Sequence, residues 1–163
     1  MGTPLDIVPR RPADAGWIRE TFVREWHGDT VGLADGSVMR ADEVPALVAW
    51  RGDERAGLAA YLQAGEVCEL VALVARPTGL GTGTLLVEAL ADLARSRGCA
   101  RLEVGTTNDN LDALRFYQRR GFHLAELHSG KMDEVRARKP EVPQIGELGI
   151  PLRDVLVLRR ELG

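Results

Sequence analysis

The chain has 163 residues, 45% of them aliphatic, aromatic or cysteine and 28% charged, close to the usual globular mixture and far from compositions that stay unfolded. That length suits one domain, residues 1–163, around one core. Its 21 Lys and Arg stand against 24 Asp and Glu, a formal net charge of −3, without the basic excess that nucleic-acid binding requires.

Every apolar stretch, the longest at residues 70–75 included, falls short of the roughly 20 residues that span a bilayer. No basic-then-apolar leader opens the sequence, and Asp6 stands where N-myristoylation of Gly2 would want Ser or Thr, so a cytoplasmic location away from membranes is expected. Cys68 and Cys99 lie singly in apolar surroundings and read as buried reduced thiols, with neither a disulfide framework nor a four-ligand zinc site.

Residues 5–8 read as a strand. Pro12 then suits an early helix position, and Trp17, Ile18, Thr21, Phe22 and Trp26 recur at helical spacing to an end near Gly28. Strands are expected at 30–33, 46–50, 57–63 and 67–75, separated by the turn-prone Ala34-Asp35-Gly36, Gly52-Asp53 and Ala64-Gly65, which suggests an antiparallel meander. The second half alternates. A glycine turn at 79–83 enters a helix bearing Leu85, Leu86, Ala89, Leu90, Leu93 and Ala94, with Gly98 as terminator. A strand at 101–105 follows, then the cap-rich 106–109, a helix to about Arg120 closed by Gly121, and a strand at 122–127. A polar helix at 131–139, a Pro/Gly loop and a strand at 155–158 complete the chain. Alternation of this kind predicts an α/β mixed sheet whose central strands lie parallel.

Gly79, Gly81 and Gly83 alternate between an apolar strand and a helix. They bare the backbone at a helix N-terminus, where free N–H groups and the dipole favour a phosphate. The alternative is an ordinary tight turn. No Gly-Lys-Ser/Thr follows, so this is no P-loop, and Leu86 occupies the third-glycine position of a dinucleotide fingerprint.

The string Thr82-Gly83-Thr84-Leu85-Leu86, taken with Asn110-Leu111-Asp112-Ala113-Leu114-Arg115-Phe116-Tyr117-Gln118-Arg119-Arg120-Gly121-Phe122, resembles the GNAT superfamily of acyl-CoA-dependent N-acetyltransferases. The resemblance implies a V-shaped central sheet with flanking helices and acetyl-CoA in the cleft where two parallel strands splay. Its pyrophosphate would rest on backbone amides of Leu80, Gly81, Thr82, Gly83 and Thr84, and Val71 and Leu73 would border the cofactor. One departure is Thr78, where the family has Gln or Arg; Arg76 fits only if the register slips to Gly79 and Gly81.

At about 100° per residue, Asn110, Ala113, Leu114 and Tyr117 share one narrow helical arc. A phenol in reach can protonate the thiolate that leaves when an amine attacks a thioester. Tyr117 is similar in position to the family's general acid, and Asn110 to its CoA-contacting asparagine. Packing of a half-buried aromatic and a polar residue in the first helical turn are the respective alternatives. A lysine-like amine, with a pKa of about 10.4, must also lose a proton. Glu69 sits in a strand apolar on both faces, where burial would raise its pKa toward catalytic range. The resemblance makes it the base, with Glu66 as second choice and a strand-end salt bridge as the alternative reading.

Direct transfer in a ternary complex needs no covalent nucleophile and no metal, and His27, His123 and His128 show no ligand spacing. Arg115, Arg119 and Arg120 read as a solvated face from which one member could meet the 3′-phosphate of CoA. Asp29, Asp42, Glu43, Glu141 and Glu147 lie in loops that could draw a cationic amine, or are ordinary surface charge. The expected function is therefore N-acetylation of a small-molecule or protein amine, with an acyl-CoA or nucleotide-binding sensor as the alternative. A homodimer is compatible with the resemblance.

Overall fold

The computed structural model describes residues 3–32 and 38–163, and its largest sheet has seven strands. The first half is the expected meander. β1 (Leu5–Pro9), β4 (Ala46–Arg51), β5 (Glu54–Ala64) and β6 (Val67–Ala75) pair antiparallel in that order. β5 starts three residues earlier than the sequence suggests because Gly52, at φ +64°, lets Gly52-Asp53 close a tight hairpin pairing Arg51 with Glu54. The short strand β2 (Thr30–Gly32) pairs with β3 (Val38–Arg40), an element too short to be read from periodicity. The expected turn Ala34-Asp35-Gly36, with Leu33, lies outside the described residues.

The second half departs from simple alternation. β7 (Arg101–Thr107) lies parallel to β6, but β9 (Val155–Glu161) inserts antiparallel between β7 and β8 (His123–His128). Parallel pairing in the described sheet is thus confined to β6 and β7. β9 runs three residues beyond the expected end because its charged tail is partnered: Arg159 bonds Glu103 at 2.8 Å and Arg160 bonds Glu88 at 2.7 Å. Thr106 and Thr107 remain in β7, and the cap of α3 (Leu111–Gln118) is Asn110, whose Oδ1 accepts from the Ala113 N–H at 3.1 Å.

Two cores sandwich the sheet. On one face, α1 (Ala15–Trp26) packs Ile18 and Phe22 on Val48, Leu58, Ala60 and Ala72. On the other, Leu86, Val87, Leu90 and Ala91 of α2 (Thr82–Ser96) cover Ala49, Ala59, Leu70 and Leu102, each large side chain contributing about 1.5–3 kcal/mol. Cys68 and Cys99 are buried thiols, and burial pushes Cys68 up to about 12. The polar α4 (Lys131–Arg138) docks through buried Met132. Among the described residues, no helix is long and apolar enough to cross a membrane, and no three His, Cys, Asp or Glu side chains gather to hold a metal.

Candidate active site

β6 carries the irregularity that builds the site. Its burial alternates regularly, with residues 68, 70, 72 and 74 buried, but its pairing with β5 steps from Ala60–Ala72 to Tyr61–Leu70, so Val71 has no partner there. This is a β-bulge. It reverses the alternation: Cys68 and Leu70 join the core beneath α2, whereas Ala72 joins the core beneath α1. Parallel pairing with β7 stops at Leu70–Val104, one residue before the bulge. Beyond that point residues 71–75 and 105–107 no longer pair with each other.

Three hollows meet at this splay. The largest, about 630 Å³, lies on the α2/α3 side and is lined by Leu73 of β6, Thr78 to Thr84 except Leu80, and Ala113, Phe116, Tyr117 and Arg120. A narrow gap of about 140 Å³ between the strand ends shares Leu73, Ala113 and Tyr117 with it and adds Val71, Val104 and Asn110. A chamber of about 290 Å³ on the α1 side shares Trp26, Leu70, Val71, Gly105 and Thr106 with the gap and contains Glu69. The shared walls set the three hollows side by side along the splay.

At the wide end, Gly79 and Gly81 adopt φ of +84° and +81°, backbone that side-chain-bearing residues rarely adopt. Gly81 is the N-cap of α2, and the Leu85 N–H bonds back to its carbonyl at 3.1 Å. The N–H groups of Thr82, Gly83 and Thr84 consequently have no acceptor within the helix. Gly83 also permits close packing, since a Cβ there would stand 3.3 Å from Phe116. Leu80 is exposed at the tip and does not line the hollow.

Two guanidinium groups flank this helix start. Arg51 donates to Thr82 Oγ1 at 3.1 Å; Arg120 donates to Thr84 Oγ1 and to the Phe116 carbonyl, both at 2.8 Å, and lies 3.7 Å over the Phe116 ring. Neither has a carboxylate partner among the described residues. Arg76 instead pairs with Glu25 of α1 and does not line the hollow, so the register-slipped alternative for the Thr78 position is not realised. Of Arg115, Arg119 and Arg120, Arg120 alone lines the hollow, a distinction that helical spacing does not make.

Tyr117 is buried between Phe116 and Phe122, with ring centroids at 5.2 and 5.3 Å. Burial raises its pKa well above the ordinary phenol value, so it holds its proton at neutral pH. No described residue hydrogen-bonds its hydroxyl. The side-chain oxygen of Asn110 is spent on the cap, while its residue still borders the gap.

Glu69 is half-buried on the opposite side. Burial, and secondarily the charge of Glu103 directly across the parallel pair, raise its pKa. Glu103 is ion-paired with Arg159, whereas Glu69 has neither hydrogen bond nor ion pair among the described residues, which removes the salt-bridge alternative. Glu66 is exposed at the far end of β6, away from the splay, and lines none of the three hollows.

Residues 12–122 match the acetyltransferase (GNAT) family. The chain belongs to the GNAT acetyltransferase family. It is 30% identical to the uncharacterized protein YxbD of Bacillus subtilis (strain 168) over 159 residues, 97% of this chain and 99% of that one. Among solved structures, the fold resembles an IAA acetyltransferase from Bacillus cereus ATCC 14579, with TM-score 0.73 and 21% identity over 97% of this chain and 99% of that one. It also resembles a GNAT family acetyltransferase from Elizabethkingia anophelis with acetyl-CoA bound, with TM-score 0.69 and 17% identity over 96% and 97% of the two chains. The sheet that GNAT membership implies is the one described above.

Proposed function

We propose that this GNAT protein transfers the acetyl group of acetyl-CoA directly to a primary amine in a ternary complex, acting as one unit over residues 1–163. The observation that carries the reading is the run of adjoining hollows at the splayed strands, with a protonated phenol on one side and an unpaired carboxylate on the other. The acetyl-CoA seen in the Elizabethkingia relative supports placing the same cosubstrate in the wide hollow. Its pyrophosphate would lie on the N–H groups of Gly81 to Thr84, with Arg120, which lines the hollow, supplying the charge that Thr78 lacks.

The thioester would then lie in the gap between Val71, Leu73 and Asn110. The ammonium gives its proton to Glu69, whose raised pKa suits it as acceptor. The freed amine nitrogen attacks the carbonyl carbon, the C–S bond breaks, and the sulfur takes a proton from Tyr117 as it leaves. The nitrogen's second proton passes through solvent to the phenolate, Glu69 releases its proton to solvent, and amide and thiol are the products.

Thiol release from acetyl-CoA with a panel of amines tests this. Acceptor-dependent release that collapses in Tyr117→Phe is expected. Tight CoA binding with no acceptor-dependent release would instead make the protein an acyl-CoA sensor.

A further inference from the structure

We infer that the acceptor is a primary monoamine with a compact apolar body, held with its one ammonium at Glu69 and its body against Phe22 and Trp26. This deepens the proposed transfer and rests on it. The chamber's volume, about 290 Å³, is at the small end for ligand sites. Glu69 is its one charged wall residue among the described residues, and the remaining walls are aromatic, aliphatic, glycine or threonine.

Charge accounting narrows the class from both directions. A second ammonium, as in a polyamine or an aminoglycoside, would lie against Val31 and Val155 with no carboxylate among the described residues to meet it. The loop acids that sequence reading offered for such a substrate do not line the chamber. Asp42 is held by Arg40 at 2.8 Å, and Asp29, Glu43, Glu141 and Glu147 are exposed elsewhere. A substrate carboxylate, as in a free amino acid, would meet Glu69 with no cation among the described wall residues to receive it.

The apolar body has a defined seat. Trp26 keeps 42% of its surface exposed although its ring centroid lies 5.0 Å from that of buried Phe22. It also lines both the chamber and the gap, so a ring or alkyl chain lying on Trp26 leaves its amine at the strand splay. Thr106, whose hydroxyl bonds no described residue, lines both the chamber and the gap and can accept from the ammonium.

The test compares phenethylamine, phenylalanine, putrescine and an aminoglycoside as acceptors for the full chain with acetyl-CoA. Phenethylamine is expected to exceed each of the others in kcat/KM by about tenfold or more. Trp26→Ala should raise the KM for phenethylamine about tenfold while the KM for acetyl-CoA moves less than about threefold, and Trp26→Phe should restore most of the loss. Equal or better turnover of putrescine, the aminoglycoside or phenylalanine overturns the monoamine assignment and leaves the transferase reading standing. An unchanged phenethylamine KM in Trp26→Ala overturns the seat. Failure of every amine to release thiol, with CoA still bound, overturns the transfer itself and this inference with it.

Discussion

Two residues on opposite sides of the splay have perturbed acidities, and they make separable predictions. Tyr117→Phe removes the proton donor but keeps the ring packed against Phe116 and Phe122. The expected result is a fall in kcat of about 100-fold to 10,000-fold, with CoA affinity and Tm near wild type, read by thiol release and calorimetry. For Glu69 the sign runs the other way in stability than in activity. Its folded pKa is raised, so the charged form is disfavoured in the native state and destabilises it above the unfolded pKa of about 4.3. Glu69→Gln should therefore raise Tm at pH 7, by about 2–4 °C for each kcal/mol relieved, and the gain should vanish below about pH 4, where both side chains are neutral. The loss of activity should be greatest where the wild-type carboxylate is charged and the amine still protonated, and should shrink at high pH, where the free amine needs no acceptor. A Glu69→Gln variant less stable than wild type at pH 7 would mean that the carboxylate is held by favourable interactions. Tyr117 and Asn110 were legible because a helical arc is a matter of spacing. Glu69 was legible as buried, but its freedom from ion pairing was not, since that depends on Arg159 choosing Glu103 across a strand that arrives 56 residues later.

At the scale of elements, the helix start and the strand break are set by close approaches that only glycine and a bulge permit. Gly57 of β5 faces α2, and a Cβ there would lie 2.7 Å from the Val74 carbonyl oxygen, 2.9 Å from Leu86 and 3.1 Å from Thr82. Gly57→Ala must push the backbone of β6 or the first turn of α2 aside. A loss of about 1–3 kcal/mol is expected, together with weaker CoA binding because Thr82 begins the N–H array. Denaturant unfolding and CoA titration on the same variant check both, and an intact Kd would show that the helix start is not what moves. The sequence made the meander, the four helices and the glycine turn readable, because periodicity and punctuation are local. Besides the short β3, two features escaped it for physical reasons. The insertion of β9 between β7 and β8 depends on pairing between distant segments, and the bulge at Val71 leaves the burial pattern of β6 regular while switching which core its residues enter.

Across the whole molecule, charge is arranged against the local dipole. The chain carries a net −3, yet Arg51 and Arg120 stand at the N-terminal, partially positive end of α2, where a cation is unfavourable without an anion to share. Burial and neighbouring Arg119 hold the Arg120 guanidinium below its ordinary pKa, although it remains charged at any working pH. This cluster of positive charge is relieved when a pyrophosphate enters, which makes CoA affinity an electrostatic quantity. Raising salt from about 0.05 to 0.5 M shortens the screening length from roughly 14 to 4 Å and should weaken CoA binding severalfold. Arg120→Ala should weaken CoA binding about tenfold and flatten that salt dependence, since one charge-assisted bond is worth about 1.5–3 kcal/mol and part of the effect is lost packing on Phe116. Arg119→Ala is the matched control: it removes the same charge from the exposed C-cap of α3 and should leave affinity within about twofold, as expected for a screened surface cation. Equal losses from the two variants in isothermal titration would mean that bulk field, and not the inward guanidinium, holds the cosubstrate; a salt-independent Kd in the wild type would remove charge from the account of binding altogether.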